Sequence, residues 1–220
     1  MGKMRMGILG DFRNKIGTVV GQRWRAGMYT TRAYVKDVRN PKTQAQQLQR
    51  AKFATAGELG SAMLAAIDRG FANVLAKKPT TAVGLFVQLN KAAIHANSPD
   101  SVTVDYADLI LAKGSLTGVI FGAPHFDTPD TVEVSFDAND GTYKAGGDDK
   151  VRIAVYCPDA KAMVVSDVAK REDHTISTTV PSSWNGMKVH VWGFVEGNTP
   201  DMNNVGLMSN SVYVGTGTIG

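Results

Sequence analysis

The chain has 220 residues, 43% hydrophobic and 20% charged, which is the balance of a folded protein of one large or two small domains. Its charge is lopsided: up to His95 there are 16 Lys and Arg against 4 Asp and Glu, and from Ala96 onward 8 against 16. No apolar run nears the roughly 20 residues that span a bilayer, Met1–Gly10 lacks a secretory apolar core, and one cysteine, Cys157, excludes an internal disulfide or a cysteine-based zinc site.

Residues 1–36 are rich in glycine and basic side chains. Between Ile16 and Val35, β-favouring residues flank Ala26-Gly27, which predicts a β-hairpin with Gly27 in its turn. Asn40-Pro41 then opens a helix, and Thr43 and Gln46 have the spacing of a capping box. The expected first helix covers Gln44–Ala56. A second, from Leu59 to Leu75, keeps Met63, Ile67, Phe71 and Val74 on one face. Pro79 ends it. A third runs from Ala82 through Leu85, Phe86 and Leu89 to Ala93, stopping before Asn97-Ser98-Pro99.

After Pro99 the period changes to strict alternation. Strands are expected at Val102–Tyr106, Leu109–Lys113, Val132–Phe136, Val151–Tyr156, Ala162–Asp167, Thr175–Val180, Val189–Val195 and Ser211–Val214, with turn-formers between them. The alternation of Val132, Val134 and Phe136, and of Val151, Ile153 and Val155, predicts one buried and one wet face. The fold expected is α+β: an N-terminal β-hairpin with about three helices over residues 1–98, then an antiparallel immunoglobulin-like β-sandwich over 99–220.

Chemical motifs are sparse. Gly215, Gly217 and Gly220 match a dinucleotide fingerprint by letters, but no helix follows to hold a pyrophosphate, so a flexible tail is expected. Asp137, Asn139 and Asp140, followed by Asp148 and Asp149, resemble a calcium loop with the wrong spacing, and read as a hairpin turn with a solvated acidic loop. His95, His125, His174 and His190 have no second ligand at a usable spacing. No nucleophile elbow, Cys–His arrangement or carboxylate pair is present. The expectation is a protein that is not an enzyme, with no cofactor, metal or small-molecule substrate.

The segment with Arg13, Lys15, Arg23, Trp24, Arg25, Tyr29, Arg32, Tyr34, Lys36 and Arg39 interleaves cations with aromatics. Three readings apply to it. Trp24 anchors the hairpin while the cations are merely solvated; or the cations face the acidic half of another copy; or they hold phosphates while the rings stack on bases. The residues expected to bind a partner are Arg23, Trp24, Arg25, Tyr29 and Arg32. A carbohydrate-binding sandwich would rest on exposed aromatics such as Trp184 and Trp192.

Gly17 to Gly27, above all Val20-Gly21-Gln22-Arg23-Trp24, then Asn40-Pro41 with Thr43 to Gln46, Gln49 to Phe53, Lys113 to Gly118, Asp149 to Tyr156, Pro181 to Trp184 and Ser211 to Gly215 occur in an order that resembles an uncharacterised family of certain bacteria and of tailed phages of gut bacteria. The resemblance spans nearly the whole chain. It implies no activity or catalytic residues, but a virion or cell-assembly context and an immunoglobulin- or fibronectin-like C-terminal half. The resulting expectation is a structural protein of a tail, neck or ring assembly in the virion, assembled in the host cytoplasm without a signal peptide. Its expected partners are its own copies and other virion proteins, with no membrane. The alternative is a nucleic-acid-binding protein using the basic half.

Overall fold

The computed structural model describes residues 2–4, 13–23, 29–37, 40–139, 145–200 and 206–220. Contacts divide the chain into two compact units, Met1–Gln46 and Gln47–Gly220. The fold is α+β, with antiparallel sheets throughout its paired strands.

In the first unit, β1 (Gly2–Met4), β2 (Asn14–Ile16), β3 (Val19–Arg23) and β4 (Tyr29–Ala33) make one sheet in the order β1-β4-β3-β2. The expected hairpin is its central pair, with Val19 opposite Ala33 and Arg23 opposite Tyr29. The expected turn at Gly27 lies outside the described residues. Gly17, at φ +59°, makes the two-residue turn from β2 to β3, where a positive φ matches the twist of the strands. The outer strands carry no alternation to read: each is three residues long, one starting with Gly2 and the other with Asn14.

α1 (Gln44–Ala62) starts in the last three residues of the first unit and continues into the second, where α2 (Leu64–Gly70), α3 (Ala72–Leu75) and α4 (Ala82–Asn90) follow. The hydroxyl of Thr43 accepts from the Gln46 N–H at 3.4 Å, and that of Thr81 caps α4 by accepting from Gly84 N–H at 3.0 Å. One helix was expected to end near Ala56, but α1 runs through Gly57 and Gly60. A side chain at Gly60 would meet the Phe86 ring, so glycine lets α1 approach α4 closely. The helix expected over Leu59–Leu75 is instead broken at Met63 and Phe71, and both breaks point fully buried side chains into the core.

Three sheets follow. The largest runs β10 (Ala162–Val165), β9 (Lys150–Cys157), β13 (Lys188–Pro200), β14 (Gly206–Met208), with β11 (Ala169–Lys170) also on β9 and β15 (Val212–Thr218) also on β13. A second has the order β12 (Thr175–Thr179), β8 (Thr131–Asp137), β7 (Ile120–His125), and a third pairs β5 (Ile94–Ser98) with β6 (Ser101–Val104).

The large sheet is covered on both faces. Val151, Ile153 and Val155 of β9 share a core with Val132 and Val134 of β8 and Val189 and Val191 of β13. The intervening Ala154 and Tyr156, with Trp192 and Phe194, pack instead in the core that holds Ile67, Phe71 and Phe86 of the helical segment. Side chains alternate across a strand, so the three-stranded sheet lies on one side and the helices on the other. The expectation of a wet face holds for β8, whose residues alternate between buried and exposed, and fails for β9, which is buried from Val151 to Cys157. This layering also explains the boundary: the helices share a core with the C-terminal sheets, whereas the expectation grouped them with the hairpin up to residue 98.

Other differences have local causes. Residues 109–113 join no ladder: Asn90 binds both polar groups of Ile110, the Ser211 hydroxyl accepts from Leu111 N–H, and the main chain of Gly70 and Ser211 bonds Lys113 N–H and the Ala112 carbonyl. α4 stops at Asn90, and Ile94–Ser98 pairs as a strand with Ser101–Val104, so tertiary pairing overrides the helical spacing that reached Ala93. The glycine-rich tail is β15, not a free end. Val189 lies opposite Gly217, and the Phe126 ring occupies the space where a Gly217 side chain would stand.

Candidate functional site

The first 46 residues hold 10 Lys and Arg against 2 Asp and Glu, and the sheet sets out how they are presented. Directly opposed residues share a face. Lys15, Val20 and Arg32 therefore form one cross-strand row, and Ile16, Val19 and Ala33 form a row on the other face. Ile16 is 51% exposed, and Val19, Tyr34 and Val35 are exposed too. No residue described before Leu59 belongs to either hydrophobic core.

Of the five residues expected to bind a partner, three are described. Arg23 ends β3 and places its guanidinium 5.5 Å from the centre of the Tyr29 ring, its cross-strand partner. Arg32 is exposed on β4. Trp24 and Arg25 lie outside the described residues. Lys15 Nζ stands 3.6 Å above the Tyr34 ring, a pair that the spacing of residues in sequence does not reveal.

The second unit holds two buried polar clusters. His190 stacks on Tyr106 with centroids 4.2 Å apart and 20° between planes, and its Nδ1 lies 2.8 Å from the Tyr213 hydroxyl. Trp192 meets Tyr213 edge-on at 5.5 Å. Burial, aided by the nearby Lys188, pushes the His190 pKa down to about 4, and burial, with Tyr106 and Cys157 nearby, pushes Tyr156 up to about 12. Tyr106 and Tyr213 are raised as well, chiefly by burial. At neutral pH these shifts leave His190 and the three tyrosines uncharged.

The other cluster centres on Arg171, which is fully buried and bonds Asp149 Oδ2 at 3.1 Å. Its two terminal nitrogens also donate to the carbonyls of Thr117 and Ala138, each at 2.7 Å. Asp149 accepts further bonds from the N–H groups of Gly146 and Asn198. It is therefore not a solvated acidic residue, as the calcium-like spacing implied, but the counter-ion of a buried arginine. Among the described residues no cluster of His, Cys, Asp and Glu fits a metal ion. Trp184 and Trp192 are buried, which removes the exposed aromatics on which carbohydrate binding would rest. No helix among the described residues is long and apolar enough to cross a membrane.

A model of a family of unknown function, DUF6266, matches residues 10–215. The chain belongs to that family. The match takes in β2, β3 and β4 of the basic sheet and nearly all of the second unit. No curated protein and no solved structure matches it significantly.

Proposed function

We propose that this DUF6266 protein is a non-enzymatic structural component that assembles through its N-terminal sheet. Support comes from one observation above all: a four-stranded sheet that leaves Ile16 and Val19 exposed on the face that also carries Arg23, and Lys15 and Arg32 exposed on the other. A buried aliphatic or aromatic side chain contributes about 1.5–3 kcal/mol, and small sheets need such a face to be covered. The natural cover is a neighbouring subunit, and the cations select an acidic one. The acidic balance after His95 makes another copy a suitable neighbour, and head-to-tail contact between unlike surfaces closes into rings when the rotation permits.

In this reading the two sheets that share a core form an immunoglobulin-like sandwich, and the protein stands in a phage tail, neck or ring, made in the host cytoplasm and built into the virion. The virion context rests on the sequence resemblance. The uncharged His190 cluster fits a structural role, since it offers no acid or base near neutrality. Nucleic-acid binding is the competing use of the same cations, but Lys15 and Arg23 already sit over Tyr34 and Tyr29.

The deciding measurement is the solution mass of the full chain by size exclusion with light scattering, at low and high salt. A defined oligomer that dissociates as salt rises is the expected result. A monomer at both salts that carries nucleic acid through purification would overturn it.

A further inference from the structure

We propose, on the reading that the chain assembles through its N-terminal sheet, that the outer face of the β12-β8-β7 sheet is where the N-terminal sheet of a second copy docks. The inner side chains of these strands, Val132, Val134, Phe136 and Ile176, are buried in a core. Glu133, Ser135 and Asp137 of β8, and Thr175, Ser177 and Thr179 of β12, alternate with them and are exposed. Pairing extends the rows across the sheet. Glu133 lies opposite Ser177 and His125, and Asp137 lies opposite Ile120, which is 62% exposed.

Charge and apolar surface together select the occupant. The three strands contain two carboxylates and no lysine or arginine, so the face repels a phosphate-rich partner and suits a basic one. Where the β7 register shifts after Phe121 lies a shallow hollow of about 370 Å³, with Ile120, Phe121 and Phe136 in its lining. The fitting partner is therefore basic and carries exposed aliphatic side chains.

The N-terminal sheet has that set in the same spacing. Ile16, Val19 and Ala33 form an exposed row, and Arg23 stands on the same face, four residues along β3 from Val19. Its guanidinium lies 5.5 Å from the centre of the Tyr29 ring. On the acidic face, Glu133 stands four residues along β8 from Asp137, the cross-strand partner of Ile120. At about 3.3 Å per residue both spans are about 13 Å. Seating Ile16 and Val19 on Ile120 and the hollow thus lets Arg23 meet Glu133, in the face-to-face stacking that sheets commonly adopt. The two surfaces are unlike, so each copy offers one and accepts the other.

The test is light scattering of the full chain at low salt, reading the concentration of half-assembly. Arg23→Glu and Glu133→Arg should each raise it about tenfold or more. The chain carrying both changes, with the two charges exchanged, should assemble nearly as well as the parent. Asp100→Arg, which reverses an exposed carboxylate in the turn between β5 and β6, should match the parent. The thermal midpoint of each variant reports folding, and Glu133→Gln serves if Glu133→Arg unfolds the chain. Assembly lost in Arg23→Glu but kept in Glu133→Arg would overturn this acceptor face and leave assembly through the N-terminal sheet standing. Loss in both without recovery in the doubly changed chain would overturn the pairing, as would equal loss in Asp100→Arg. A parent that stays monomeric would overturn both readings.

Discussion

Asn90 holds Ile110 by both of its backbone polar groups: Oδ1 accepts from the Ile110 N–H at 2.7 Å and Nδ2 donates to the Ile110 carbonyl at 3.0 Å. Asn90 is buried, and its Nδ2 also donates to Phe86 O. One amide side chain thus does for Ile110 what a neighbouring strand does elsewhere, and ties the end of α4 to an extended segment twenty residues away.

Asn90→Ala is therefore expected to destabilise the protein by about 2–6 kcal/mol, because it strands two part-buried backbone groups at about 1–3 kcal/mol each. Urea unfolding followed by circular dichroism measures it. A loss below about 0.5 kcal/mol would mean that other groups take over both bonds.

Arg171 leads to a second expectation. Breaking a buried ion pair by removing one partner costs on the order of 3–5 kcal/mol. Arg171→Ala should fall in that range, since it also strands the carbonyls of Thr117 and Ala138. Asp149→Asn should cost less, because those carbonyls still receive the guanidinium. Equal losses in the two variants, measured by denaturant midpoints, would show that the carbonyl contacts contribute little.

These two networks mark the limit of what the sequence discloses. Local signals located much of the secondary structure: the cap at Thr43, the helix starting at Ala82, and the alternation that became β8 and β9. What they could not show depends on partners distant in the chain. A strand such as β9 reads as half-exposed until the helices are known to lie across its second face. Leu109–Lys113 reads as a strand until Asn90 and Ser211 are seen to occupy its hydrogen bonds. The candidate surface was only half legible: its residue types were apparent, but the row of Ile16, Val19 and Ala33 exists only through register.

His190 makes stability depend on pH. Its pKa falls from 6.5 to about 4 on folding, so between those values the unfolded chain binds a proton that the folded chain refuses. Stability should be constant with respect to this group above pH 6.5 and decline as pH drops toward 4, by up to about 3 kcal/mol at 1.36 kcal/mol per pH unit. His190→Phe, which preserves stacking on Tyr106 but cannot be protonated, should remove that slope. Thermal midpoints of both proteins from pH 4 to 7.5 decide it, and parallel curves would place the titration elsewhere.

The N-terminal sheet offers the sharpest separation of apolar from electrostatic contributions, because its two faces differ. Ile16→Asp/Val19→Asp removes the exposed apolar row, and Lys15→Glu/Arg32→Glu reverses two cations of the opposite face. If a neighbour covers the apolar row, the first variant should abolish association even at low salt, where the parent protein is assembled and the cations are least screened. The second should weaken association most at low salt and approach the parent protein at high salt, where charges more than about 3 Å apart are screened at 1 M. Both variants should leave the unfolding of Gln47–Gly220 unchanged, because the altered residues lie in the other compact unit. Light scattering across a salt series reads all of this, and loss of assembly in the charge variant alone would make the contact electrostatic, with the apolar row left to some other partner.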